Sequence, residues 1–177
     1  MKRAALYLLL TAPLLYLFYR LFATGVEDPV KSIYTVTGAT ALTLLYAVTA
    51  ISLVRKKINL LRYRRAVGLF AFFYALLHML NFFVFDMELD LSAALKETLD
   101  KPFIYLGMGA FLILLFMAVT SVPRLFAKYH RYHKLLYLAM VLATVHFVMA
   151  QKALAYWQWG VLAVMAVIGM LKVLQRK

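Results

Sequence analysis

Apolar and polar positions in this chain separate into blocks instead of alternating. Six long apolar runs, at about residues 4–22, 37–54, 66–85, 103–122, 133–150 and 153–174, are divided by short stretches that hold most of the charge. Each run is close to the ~20 residues a helix needs to cross the hydrocarbon of a bilayer. Their continuity predicts helices, since the strands of a membrane β-barrel would alternate with period two. Pro13 falls inside the first run and predicts a kink there. Pro29, Pro102 and Pro123 stand at or near run ends. No Gly/Ser linker or low-complexity stretch divides the pattern, so residues 1–177 read as one domain. The expected fold is an all-α membrane protein, a six-transmembrane-helix bundle. Met1-Lys2-Arg3 followed by an apolar run resembles a signal peptide, but the run continues to Ala23 and reads as a retained first helix.

Composition agrees with this pattern. The chain is 66% hydrophobic, with a mean hydropathy of +0.83 and 15% charged residues, where a soluble domain carries about 25%. The net charge of +13 would suggest nucleic acid until the charges are placed by loop. With the N-terminus inside, 15 of the 20 basic residues fall on the inner side, grouped around Lys2, Arg55–Lys57, Arg62–Arg65, Arg124–Lys134 and Lys172–Lys177. All seven acids (Glu27, Asp28, Asp86, Glu88, Asp90, Glu97, Asp100) fall on the outer side. This asymmetry is a topology signal and predicts that both termini are cytoplasmic. It leaves no basic soluble surface for a nucleic acid. The chain has no cysteine, which excludes disulfides, thiolate metal sites and thiol catalysis. The segment DLSAALKETLD, 90–100, reads first as a solvated loop. The alternative is a short amphipathic helix whose acids help dock a periplasmic partner.

Ionisable groups inside a membrane are expensive, so the histidines direct the functional reading. His78 lies 12 residues past the inner end of the third run, and His146 lies 13 residues past His133 at the inner end of the fifth. The two runs point the same way, so both imidazoles are expected about 18–20 Å from the inner edge. Two facing imidazoles at one depth suit the two axial positions of a haem b iron. The simpler reading, that each merely hydrogen-bonds a neighbouring helix, loses ground because the depths match. No acid lies within a run to form a proton relay, and zinc would want further ligands. His133 raises a second haem, but 13 residues at 100° set its ring about 140° from that of His146 on an ideal helix. Arg64 and Arg65 occupy the inner end of helix three, and Arg64 is a candidate propionate contact. His130, one turn from His133, reads as interfacial.

Phe70, Phe72, Phe73 and Tyr74 precede His78 and suit either a porphyrin face or ordinary packing. Tyr156, Trp157 and Trp159 look like an interfacial belt, and Gly107, Gly109 and Ala110 permit close helix approach. No GxGxxG or P-loop is present. Electrons would therefore enter from membrane quinol or from a separate flavin reductase at the basic inner face.

The stretches DPVKSIYTVTGATAL (28–42), RYRRAVGLFAFFYALLHML (62–80), DKPFIYLGM (100–108) and YHRYHKLLYLAMVLATVHF (129–147) together resemble the MsrQ (YedZ) family. These are haem-binding membrane subunits of the bacterial system that repairs periplasmic methionine sulfoxide. The resemblance covers nearly the whole chain. It implies a ferric-reductase-like transmembrane fold in the bacterial inner membrane and haem ligation at His78, His133 and His146. It further implies FMN binding and electron delivery to a periplasmic molybdopterin sulfoxide reductase. Oxidase relatives of this fold carry a histidine 14 residues before the position of His78, where this chain has Arg64. On this reading the chain transfers electrons and is not itself the catalytic subunit. A self-standing ferric or oxygen reductase of the same fold is the alternative, and a haem-free transporter or assembly protein the third reading.

Overall fold

The computed structural model describes residues 2–56, 58, 60–151 and 156–175, without the side chains of Lys2, Arg3, Lys56, Trp157 and Val173. The described residues form helices and connecting turns. Helix α1 (Lys2–Tyr19) continues through a π-turn, Arg20–Thr24, and stops at Gly25, whose φ of 69° takes the chain out of the helix. Helix α2 spans Pro29–Leu53 and ends in a 3₁₀ turn, Val54–Lys56; α3 (Leu61–Asn81) ends in a second π-turn, Phe82–Asp86. Then follow α4 (Leu91–Asp100), α5 (Pro102–Val119), α6 (Pro123–Tyr129), a 3₁₀ segment (His130–Leu135), α7 (Leu136–Met149) and α8 (Tyr156–Leu174).

Local chemistry fixes the starts. Asp28 caps α2 by accepting the Lys31 amide at 2.8 Å, with Pro29 in the first helical position, where its missing N–H is of no consequence. Pro102 and Pro123 open α5 and α6 in the same way. Asp90 caps α4, accepting the amides of Ser92 at 2.8 Å and Ala93 at 3.1 Å.

Three of these boundaries differ from the sequence reading. Helix α2 starts at Pro29, eight residues before the predicted 37, because a proline-capped polar turn can still extend a helix beyond its apolar run. The 90–100 segment is a helix and not a solvated loop, because Asp90 supplies the cap while Ala94 and Thr98 bury against α5. The fifth run starts at Pro123, ten residues early, and passes through 3₁₀ geometry before α7. The sixth run is described only from Tyr156, so its predicted start at 153 lies outside the described residues, as do Lys57, Arg176 and Lys177 of the inner charge.

Two helix pairs organise the molecule. Helix α2 packs along α3, α5 packs along α7, and α3 against α5 joins the pairs. Helices α1 and α8 lie against α2. Leu42, Leu45, Val48, Val67, Leu114, Leu136, Ala139 and Met140 form the core between the pairs, while Leu8, Leu9, Phe22 and Val141 stand exposed on the outer surface. That inside-out distribution suits a lipid surround. Among the described residues, buried side-chain polar groups other than Asn81 Oδ1 are satisfied within the bundle, as a bilayer requires. Tyr46 Oη and Thr144 Oγ1 are 2.8 Å apart across α2 and α7. Thr49 donates to Met140 Sδ at 3.0 Å. Tyr74 donates to the Leu10 carbonyl at 2.7 Å, in the α1 turn preceding Pro13, where the helical ladder is weakened.

Among the described residues, five helical stretches are long and apolar enough to cross a membrane: Ala4–Thr24, Pro29–Leu53, Leu61–Asp86, Pro102–Val119 and Pro123–Met149. The apolar stretch of α8, Gln158–Lys172, is shorter among the described residues.

Candidate haem site

His78 stands near the end of α3 and His146 near the end of α7, each three residues before the last residue of its helix, Asn81 and Met149. The α3–α5 contact brings these ends together. The two ring centroids are 6.0 Å apart, with the ring planes at 87°. Both side chains are half-buried. A metal held between two imidazoles at about 2.0–2.1 Å from each nitrogen would set the ring centres about 6.3 Å apart, so the observed separation accommodates one iron.

Hydrogen bonding sets the tautomers. His146 Nδ1 lies 2.6 Å from the Phe103 carbonyl, which can only accept, so Nδ1 carries the proton. His78 Nδ1 makes a longer 3.4 Å contact with Thr37 Oγ1. The Thr37 hydroxyl already donates to the Ile33 carbonyl at 2.6 Å and is left to accept. In both rings the lone pair therefore sits on Nε2, as an axial ligand requires, with a second partner fixing the ring from behind. Aromatic rings flank the pair: Tyr34 meets His78 edge-on at 5.1 Å, and Phe103 lies along His146 at 6.0 Å. The Tyr34 hydroxyl donates to Asp86 at 2.6 Å, tying the start of α2 to the π-turn beyond His78. Beside His78, a cleft of about 310 Å³ opens between α1, α2 and α3. It is lined by Leu17, Phe18, Thr37, Leu77, Leu80 and Asn81, and by neither histidine. By ring spacing and tautomer, the two histidines fit haem b.

His133 is built differently. It lies in the 3₁₀ segment, so rotation at 100° per residue does not describe its path to His146. Its Nε2 is 3.1 Å from Thr120 Oγ1, and that hydroxyl donates to the Phe116 carbonyl at 2.7 Å. Nε2 is thus the protonated nitrogen here, opposite to the other two rings. Phe126 covers the ring at 4.9 Å. Arg64, half-buried at the start of α3, lies close enough to act on His133 electrostatically. Fourteen residues of rise place Arg64 about 21 Å from His78 along α3, which puts it at the His133 end and beyond reach of a porphyrin at His78. His130 Nδ1 donates locally to the Ala127 carbonyl, 3.1 Å away. Among the described residues, no three His, Cys, Asp or Glu side chains gather as a metal-ion site.

The aromatics ahead of His78 are committed to helix packing. Phe72 stacks on Phe111, Phe70 meets Tyr7 and Phe73, and Tyr74 is fully buried. Tyr156 and Trp159 are exposed, whereas the Trp157 side chain lies outside the described residues. The sequence reading missed Gly38, Thr37 and Tyr34 on α2, and Phe103 on α5. Only their contacts with the two histidines give them a role, although TG within the 28–42 stretch was the available signal.

The ferric-reductase-like transmembrane component family matches residues 56–144. The heme-binding subunits MsrQ of protein-methionine-sulfoxide reductase from Brucella ovis, Brucella suis and Brucella canis are each 40% identical over 159 residues. Those alignments cover 84% of this chain and 72% of the relative. No solved structure matches at comparable significance.

Proposed function

Because the chain belongs to the ferric-reductase-like transmembrane family, within its MsrQ haem-binding branch, we propose that it carries electrons across the bacterial inner membrane on haem b held by His78 and His146. The observation that carries this reading is the pair of imidazoles 6.0 Å apart, each with its Nδ1 engaged from behind. Haem, when bound, supplies a one-electron Fe(III)/Fe(II) couple. The chain's own residues hold and orient it. Phe103 and Thr37 fix the tautomers. His78 and His146 would hold the iron from both sides, an arrangement suited to the electron-transfer chemistry the haem would supply.

The acceptor is a periplasmic methionine sulfoxide reductase of the molybdopterin type, reached from the acidic outer side. The donor is membrane quinol or a flavin reductase at the basic inner side, where FMN would also have to bind. Helix α8 makes the sixth crossing, leaving both termini cytoplasmic. One haem per chain is the expected load, a reading supported by the engagement of His133 Nε2 with Thr120, which leaves only Nδ1 of that ring for a ligand.

Haem content decides this. Reduced-minus-oxidised spectra of the purified wild type should show haem b at one per chain. His78→Ala and His146→Ala should each remove it, and His133→Ala should keep it. Full haem content in both of the first two variants would sink the pairing. Two haems in the wild type with one lost in His133→Ala would establish an inner site instead.

A further inference from the structure

The two helix pairs are built to one plan. Each first helix opens on a proline, Pro29 in α2 and Pro102 in α5. Each then carries an aromatic residue four positions ahead of a glycine, Tyr34 with Gly38 and Phe103 with Gly107. Each returning helix brings a histidine ring onto that glycine. A Cβ built at Gly38 would lie 2.8 Å from His78 Cε1 and 2.9 Å from Nδ1. A Cβ at Gly107 would lie 2.8 Å from both Cε1 and Nδ1 of His146. The other glycines are unlike these. Gly68 and Gly109 would meet Val48 and Leu142 at ordinary contact distances of 3.8 and 3.6 Å, and Gly25, Gly160 and Gly169 would meet nothing within 4 Å.

We propose that Gly38 and Gly107 are positioning residues, matched seats that let each imidazole lie directly on the neighbouring helix backbone and so aim its Nε2 at the shared iron. This rests on the reading of His78 and His146 as axial ligands. Glycine within a helix costs about 1 kcal/mol relative to alanine, so its use at two mid-bundle positions needs a compensating reason. The contact supplies one. No side chain fits beneath either ring, and the ring must be that low for Nδ1 to reach the Phe103 carbonyl or Thr37 on the same helix. Adding a methyl group lifts the ring, weakens the Nδ1 hydrogen bond and lowers the basicity of Nε2, which destabilises the ferric iron.

The test is Gly38→Ala and Gly107→Ala in the full haem-loaded chain in detergent, with Gly109→Ala as the same-helix control. The seat variants should lose haem affinity by about 10–100-fold, shift the midpoint potential upward and alter the low-spin electron paramagnetic resonance g values. Gly109→Ala should match the wild type. Unchanged potential and g values in both seat variants overturn the proposal, as does an equal shift in Gly109→Ala. Should a seat variant fail to fold, the folded yield of Gly107→Ala in detergent is compared in the wild-type and His146→Ala backgrounds. Acting through the ring, it lowers the yield in the former and leaves it unchanged or raised in the latter. Loss of yield in both backgrounds overturns the seat. That cycle is read without haem, so failure of the ligand reading, seen as no haem b in the wild type, is distinguishable from failure of the seat.

Discussion

At the scale of residues, three histidines on similar apolar surroundings differ by what holds the far side of the ring. Phe103 O and Thr37 Oγ1 accept from Nδ1 of His146 and His78, whereas Thr120 Oγ1 takes the proton of His133 Nε2. The Thr120 hydroxyl ties the 3₁₀ segment to the end of α5. Thr120→Val should leave haem content unchanged and lower stability by about 0.6 kcal/mol, the usual worth of an interhelical hydrogen bond in a membrane bundle. Haem absorbance and unfolding in detergent measure the two effects. Loss of haem in this variant would give His133 a ligand role.

At the scale of elements, caps decide more than hydropathy does. Helix α4 is ten residues long, and Leu91, Leu95 and Leu99 are exposed, so little burial supports it. Its start depends on the Asp90 carboxylate accepting two backbone N–H groups. Asp90→Ala should destabilise α4 by about 1 kcal/mol. Hydrogen exchange at residues 91–95 should quicken about fivefold, with the spanning helices unaffected. Unchanged exchange there would mean that the Ala94 and Thr98 contacts suffice. The 3₁₀ segment between α6 and α7 is the counterpart on the other side of the bundle. It changes the rotation of the helix and sets His133 apart from the path that a regular helix would give it.

At the scale of the whole molecule, the histidine pair and the acidic residues share one side of the bundle. Acids including Asp86, Glu88, Asp90 and Glu97 share the side on which α3 ends near His78, and the described basic residues Arg62, Arg64, Arg124 and Arg131 share the other. The native chain has no cysteine, so single-cysteine labelling can read sidedness without background. Glu97→Cys should react with an impermeant maleimide from the periplasm of intact cells, and Arg131→Cys only after permeabilisation. The reverse pattern would invert the bundle and place His78 and His146 near the cytoplasm.

Hydropathy blocks alone determined that the chain is helical and membrane-embedded, because crossing a bilayer demands a length and an apolarity that any sequence must display. Charge asymmetry predicts its orientation for a similar reason. Counting residues along two co-directional helices set His78 and His146 at matched depth, since rise per residue is nearly constant. What no count along the chain could decide was lateral: which face of α2 meets α3, or which ring lies on which backbone. Gly38 and Gly107 are invisible as partners until the helices are packed, because glycine carries no pattern of its own and acts by what it lets approach. The tautomers of His78 and His146, and the opposite one of His133, likewise depend on contacts between residues 13 to 43 positions apart. Sequence supplied two imidazoles at one depth; tertiary packing alone brought their rings to 6.0 Å and gave each a seat.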